Sequence, residues 1–302
     1  MRVHRLNLAY QQKTTFMIKP LVSVGLQFFN NDQTLESAIR SIRQQSFTEW
    51  ELIVHDDGSR DRSADVVRRF QDPRIRFFPE SVNRQRPYRL NQSLELARGQ
   101  FYAVMDGDDV AYPDRLKKQV QFLTQNPDVD LVGGGMMVFK GDGIPIGKRT
   151  PQVQHEQICR KPWAGFPLAQ PTFMGRIGWF RLHKYCASFP LAEDQDLLLR
   201  SYRNSRFANL PEIVMGYREK CLSWMKLAKG RSYLTRAVCR QLKFEERARL
   251  IPSVILLQAL KSAADGISIV TGLNYELLRH RAAATTEEER QQWRQVYQSV
   301  SP

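Results

Sequence analysis

From Leu21 to about Gln125, apolar and polar positions follow two alternating periods. Leu21-Val22-Ser23-Val24 is a short apolar run of the buried-strand type. Thr34 to Gln45 then places Leu35, Ala38, Ile39 and Ile42 on one helical face. Glu51-Leu52-Ile53-Val54-His55 predicts a second strand, and Asp61 is placed to cap a helix running to about Phe70. Asp72-Pro73 turns the chain into a third strand, Ile75-Arg76-Phe77-Phe78. Leu90, Leu94 and Ala97 mark a helix that stops at Gly99. Phe101-Tyr102-Ala103-Val104 is the next strand, and Pro113 opens a helix with Leu116, Val120 and Leu123 inward. This alternation predicts an α/β fold, a mostly parallel central sheet with covering helices.

Later segments follow a different pattern. Asp130 to Pro171 is richer in Gly and Pro and reads as strands with long loops. Gly133-Gly134-Gly135 does not fit G-x-G-x-x-G, and a turn is the expectation there. Glu193 to Tyr202 reads as a helix. Beyond Tyr217 the chain is basic and helical in pattern, and the Glu-rich stretch from Thr285 to Arg290 reads as a solvated helix.

Length adds a bound: 302 residues, 42% hydrophobic, suffice for one large domain and an appendage. Charge adds a partner class. The net charge is +14, and Arg218 to Arg249 holds ten Lys/Arg against three Glu, a net +7. Such an excess invites an anionic partner. Trp224, Tyr233 and Phe244 interleave with the basic residues. That pattern fits an amphipathic helix at a membrane interface, with Lys226, Lys229 and Arg231 toward anionic lipid. It fits equally a helix packed on the main domain with its charges toward water. Nucleic acid is not expected, because no recognition module is present and acidic strand ends would repel phosphate.

Cys159, Cys186, Cys221 and Cys239 form no C-x-x-C pair, which supports neither a zinc ribbon nor a redox motif and suggests a reducing compartment. Met1 to Lys19 lacks an apolar core of signal-peptide length. Contiguous apolar runs such as Val254-Ile255-Leu256-Leu257 are far short of the ~18 residues that span a bilayer. The expected location is the cytosol or the cytosolic face of a membrane. The five histidines show no metal-ligand spacing, and His55 reads as a strand-end residue.

Two predicted strands end in acids: Asp56-Asp57-Gly58-Ser59 and Met105-Asp106-Gly107-Asp108-Asp109. In open α/β sheets the carboxyl edge is where ligands bind. Clustered carboxylates repel one another unless a cation or hydrogen-bond donors compensate them. A hard divalent cation on a nucleotide diphosphate would do so. Each cluster alone is also a turn that caps the next helix. Side by side, they would let one ligand meet both, with base and ribose on the first and metal and diphosphate on the second.

Five ordered motifs carry a resemblance. Leu21-Val22-Ser23-Val24 through Phe29-Asn30, Asp56-Asp57-Gly58-Ser59-Arg60-Asp61, Met105-Asp106-Gly107-Asp108-Asp109, Gln170-Pro171-Thr172-Phe173-Met174 and Glu193-Asp194-Gln195-Asp196-Leu197 look like the family 2 glycosyltransferases of GT-A fold. The resemblance covers about Pro20 to Tyr217. It implies a GT-A catalytic domain over 20–217, after an N-terminal extension 1–19 and before a basic helical C-terminal region 218–302. It implies that Phe29, with Asn30, stands where the family has a Tyr that stacks on the base. One of Asp56 and Asp57 would bond the base. Asp106 and Asp108 would form the D-x-D element, with Asp108 the direct ligand of Mg2+ or Mn2+. Arg86 or Arg89 would touch base or diphosphate, or else face solvent.

The resemblance places the general base in the acidic pair at a helix start. Asp194 is the first choice, with Glu193 and Asp196 as rivals. An acid there also favours the helix macrodipole. Gln27 replaces a usual Pro, Gln170 a common His, and Tyr185-Cys186-Ala187 stands in place of a Gly-Gly-Tyr. No Arg-Trp pair occurs, so the Q-x-x-R-W signature of processive synthases is missing. The implied activity is inverting transfer of a single sugar from a nucleotide-sugar donor, a UDP-sugar, to a hydroxyl of a glycan or lipid-linked glycan in cell-surface polysaccharide synthesis. The alternatives are a polyprenyl-phosphate glycosyltransferase and a non-catalytic nucleotide-sugar-binding protein of the same fold.

Overall fold

The computed structural model describes residues 19–219, 224–271 and 282–301. The N-terminal extension up to residue 18 and Cys221 lie outside them. The first half alternates as the periodicity requires. Strands β1 (Val22–Phe28), β2 (Trp50–Asp57), β3 (Ile75–Glu80) and β4 (Phe101–Asp106) are separated by helices α1 (Leu35–Arg43), α2 (Ser63–Arg68) and α3 (Arg86–Leu96). β1 pairs in parallel with both β2 and β4, and β2 pairs in parallel with β3. β1 and β2 are buried along their whole length, so polar residues such as Ser23, Gln27, Glu51 and His55 are buried there together with the apolar ones.

Past β4 the sheet is mixed. β5 (Val110–Ala111), α4 (Arg115–Gln125), β6 (Leu131–Lys140), β7 (Ile144–Arg149), α5 (His155–Ile158), β8 (Met174–Arg176), α6 (Ile177–Leu182), α7 (Glu193–Ser201) and β9 (Phe207–Arg218) follow in order. The strand order is β3-β2-β1-β4-β8-β6-β9-β5, with β7 beside β6. β6 and β9 are parallel, whereas β8, β5 and β7 pair antiparallel. The parallel character read from the sequence therefore belongs to Val22–Asp106 and the β6–β9 pair.

Gly133-Gly134-Gly135 is not a turn. It lies inside β6, where close neighbours leave no space for side chains. A Cβ on Gly133 would meet Asn209 Oδ1 at 2.4 Å, and one on Gly134 would meet Val214 at 2.7 Å. The glycines let β6 and β9 approach across a register shift.

Helices α8 (Trp224–Phe244) and α9 (Ile251–Val270) form a hairpin beside α7, and α10 (Glu287–Val300) closes the chain. One reading changes here and another is extended. The stretch Ala248–Ser268 is long and apolar enough, by length and composition, to cross a membrane, although no contiguous run within it is. The Glu-rich segment is only the first turn of α10, whose Trp293 is fully buried. The Trp293 ring packs on Phe139 at 4.6 Å and Tyr112 at 5.9 Å, and its Nε1 donates to Gly143 O at 2.7 Å. Gly216 of β9 makes room, since a Cβ there would lie 2.2 Å from the Trp293 ring.

Candidate active site

The carboxyl ends of β1, β2 and β4 meet at one edge, with β1 between the two acidic strands. Gln27 lies opposite both His55 and Asp106, and Phe28 lies opposite Asp56. Above this edge opens a cleft of about 1380 Å3. Phe29, Asp57, Arg86, Asp106, Asp108, Glu193 and Asp194 all line it. The structure thus brings residues from β1, β2, α3, β4 and α7 to one cavity.

The two acids after β2 do different work. Asp56 is buried and accepts from Ser59 N–H at 2.8 Å, which closes the turn after the strand. Asp57 accepts from Arg84 N–H at 2.8 Å, Gln85 N–H at 2.9 Å and Arg89 Nε at 2.7 Å. It therefore holds the loop that leads into α3. Arg89 is fully buried and also reaches Glu80 at 3.3 Å and Val82 O at 2.6 Å. Phe29 stays 45% exposed on the cleft wall. Asn30 sits at φ 55°, accepts from Arg60 N–H at 2.9 Å and does not line the cleft. It ties the loop after β1 to the loop after β2.

Asp106, Asp108 and Asp109 present carboxylate oxygens within 4.8 Å of one another. Burial drives Asp109 well above the ordinary carboxylate range, and the charges of Asp108 and Asp106 add to it. Asp109 Oδ1 accepts from Arg218 N–H at 2.9 Å, whereas its buried Oδ2 has no hydrogen-bond partner among the described residues. This crowded hard-oxygen donor set fits a divalent cation held by Asp106 and Asp108, the two that reach the cleft. Beneath it Arg115 is fully buried and donates to Val104 O at 2.8 Å. Burial pulls its guanidinium down to about 10, against the attraction of Asp109 and Asp106.

Arg86 joins the two acidic regions. Its guanidinium donates to Asp106 Oδ1 and lies 3.7 Å from Glu193 Oε1. Burial opposes its charge, but Asp106 and then Glu193 hold it above the ordinary arginine value. Within the acidic helix the three carboxylates separate. Asp194 faces the cleft and accepts from Gln195 Nε2 at 3.2 Å. Burial raises it, with the Gln195 hydrogen bond opposing. Glu193 is raised by burial too, with Arg86 opposing and Asp194 adding. Asp196 points away from the cleft. It is completely buried, 2.9 Å from Arg200 Nε, and accepts from Arg240 of α8.

Two parts of the site escaped the sequence reading. Arg218, at the end of β9, donates through Nε to Asp108 O at 2.8 Å and through Nη1 to Gly141 O. Its guanidinium lies over Phe139, 4.6 Å from the ring centroid. It fixes the backbone of the acidic turn from 110 residues away. The second part is α8, which forms a wall of the cleft through Lys226, Lys229, Arg231 and Tyr233. Arg231 is paired inward with Asp265 of α9 at 2.5 Å. Lys226 and Lys229 are exposed along that wall. His55 is buried against Phe78, with ring centroids 5.0 Å apart, and burial lowers it to about 4, as befits a strand residue.

Comparison with known proteins matches this geometry. Residues 23–182 fit the model of glycosyl transferase family 2. The Bacillus subtilis (strain 168) protein EpsE is 32% identical over 256 residues, covering 81% of this chain and 91% of that protein. The crystal structure of S. aureus TarS 1-349 with UDP-GlcNAc is similar at a TM-score of 0.63 and 19% identity, covering 93% of this chain and 81% of that one. The Pyrobaculum calidifontis mannosyltransferase PcManGT, in complex with GDP-Man and Mn2+, is similar at a TM-score of 0.56 and 16% identity, covering 93% and 85%. The fold is GT-A, and the family model spans both acidic strand ends, with the acidic helix start lying beyond its matched residues: the chain belongs to glycosyl transferase family 2.

Proposed function

We propose that this glycosyltransferase moves one sugar from a UDP-sugar to a hydroxyl of a glycan or lipid-linked glycan, with inversion, in cell-surface polysaccharide synthesis. The observation that carries this reading is the single cleft that holds both the Asp106/Asp108 pair and Asp194. TarS binds UDP-GlcNAc with the same fold, and PcManGT binds its donor with Mn2+. In this reading Phe29 stacks on the base. Asp57 and the Arg84–Gln85 loop that it holds form the rest of the base site, and Asp56 supports the turn beneath. Asp106 and Asp108 hold Mg2+ or Mn2+, which when bound neutralises charge on the departing diphosphate. Arg86 adds positive charge at the same place.

Asp194 takes the proton of the acceptor hydroxyl as its oxygen attacks the anomeric carbon. Attack from the face opposite the diphosphate inverts that carbon. Glu193 and Arg86 position Asp194 and keep the pair's charge balanced, and Asp196 braces α7 against α8. The α8 wall, with its lysines, receives the acceptor, which fits an anionic or phosphate-bearing carrier. We place the enzyme in the cytoplasm, on the membrane face where such carriers are loaded.

Thermal unfolding with a panel of nucleotide sugars and Mn2+ tests the donor site. A UDP-sugar at a hundredfold excess over Kd should stabilise the protein by roughly 2.7 kcal/mol. Asp108→Ala should remove the metal-dependent part of that shift and the metal-dependent turnover. Turnover retained in Asp108→Ala would overturn the metal assignment.

A further inference from the structure

We propose that the outer face of α9 is a membrane-docking surface for anionic phospholipid, which lays the α8–α9 hairpin flat in the interface. It deepens the peripheral-membrane part of the function proposed above.

Helix α9 is inside out for a helix on a water-soluble surface. Val254 anchors its first turn in the core, but beyond it the buried residues are polar: Gln258, Asp265 and Ser268. Asp265 accepts from Arg231 Nε of α8 at 2.8 Å. Its outward residues are apolar. Ile255, Leu256, Leu260, Ile267 and Val270 are 51–87% exposed. From Val254 to Val270 the other described exposed positions, Ala259, Ala263 and Ala264, are apolar as well. These positions recur every three or four residues and form one stripe about 25 Å long at 1.5 Å per residue. An ordinary surface helix has the opposite arrangement. A continuous exposed apolar stripe of this kind marks a surface that something covers.

Charge identifies the cover. The stripe begins beside exposed Lys243, Arg247 and Arg249 at the α8–α9 turn, with Glu246 the exposed acid among them. Phe244 projects there at 83% exposure, and Trp224 packs at the other end of the hairpin over Gly266. Aromatic and basic residues around an apolar stripe suit the headgroup region of an anionic leaflet.

Topology rules out a span. α9 lies lengthwise on α8, and Lys261 Nζ donates to Ala164 O of the catalytic domain at 3.3 Å. By Ala283 the chain is back at β7, where Ala283 and Lys148 exchange backbone hydrogen bonds of 2.7 and 2.9 Å. The hairpin leaves and rejoins the domain on one side, so α9 lies in the plane of the interface. In that seat α8 stands between membrane and cleft, and an acceptor anchored in lipid reaches Asp194 along the α8 wall.

Vesicle co-sedimentation of the full chain tests this, using phosphatidylcholine vesicles with and without phosphatidylglycerol. The protein should bind the anionic vesicles. Leu256→Glu/Leu260→Glu should lower the partition coefficient about tenfold or more, since charge replaces the buried apolar contact. Lys243→Glu/Arg247→Glu should weaken binding to anionic vesicles and reduce its salt sensitivity. Both pairs are exposed, and an unchanged unfolding midpoint verifies that the variants fold. Absence of wild-type binding, or equal binding by Leu256→Glu/Leu260→Glu, overturns the proposal. So does a dimer in light scattering that this variant dissociates, which assigns the stripe to a second copy. Binding is read without donor or acceptor, and UDP-sugar stabilisation is read without vesicles. Failure of the docking surface is therefore distinguishable from failure of the glycosyltransferase mechanism.

Discussion

The acids at the start of α7 show how one turn of helix distributes three roles. Glu193, Asp194 and Asp196 lie within four residues, yet only the first two reach the cleft. Helical geometry separates them: residues two apart point about 200° apart around the axis. Asp196 is turned onto Arg200 and Arg240, while Asp194 is left facing the cavity. Asp194→Asn should lower kcat by about 10²–10⁴-fold and leave UDP-sugar stabilisation intact. Burial raises both Asp194 and Glu193. The base must be deprotonated to act, so activity is lost as pH falls through the raised value. The acid limb of kcat/KM should thus lie at higher pH than for an ordinary aspartate, and it belongs to the coupled pair. Asp196→Asn should instead reduce stability by about 1–3 kcal/mol and leave the pH profile in place. A kcat loss in Asp196→Asn larger than in Asp194→Asn would reverse the assignment.

At the scale of elements, pattern and packing diverge after β4. The parallel strands were legible because Leu52-Ile53-Val54 and Phe101-Tyr102-Ala103-Val104 are contiguous apolar runs in buried strands, while β3 is only half-buried. β6 was not, because three glycines interrupt its apolar pattern where it meets β9. α10 was half legible. Its Thr286 cap and acidic first turn are local, and Thr286 Oγ1 accepts from Glu289 N–H at 3.2 Å. That Trp293 is a core residue follows only from Phe139, Tyr112 and Gly216 standing opposite it. Trp293→Ala should cost about 3–5 kcal/mol, measured by denaturant unfolding. A loss below about 1 kcal/mol would mean that α10 does not clamp this edge of the sheet.

Across the whole molecule, composition and packing draw different lines. The basic region begins near Arg218, but β9 ends on that residue, and Ala237, Val238, Leu242 and Val254 belong to the same core as Leu197, Leu198 and Phe207. A chain ended at Tyr217 would expose that core together with the residues beneath α10. It should therefore be recovered mainly in the insoluble fraction, and a soluble, cooperatively folding fragment would show that residues up to Tyr217 are self-sufficient. The sequence by itself determined the α/β class, the acidic strand ends and the acidic helix, because each is a local pattern of neighbouring residues. Tertiary structure alone decided that Asp194 rather than Asp196 faces the cleft, that Arg218 fixes the acidic turn, and that α8 walls the cavity while α9 turns its apolar face outward. Those outcomes depend on contacts between residues far apart in the chain, whose partners no local period specifies.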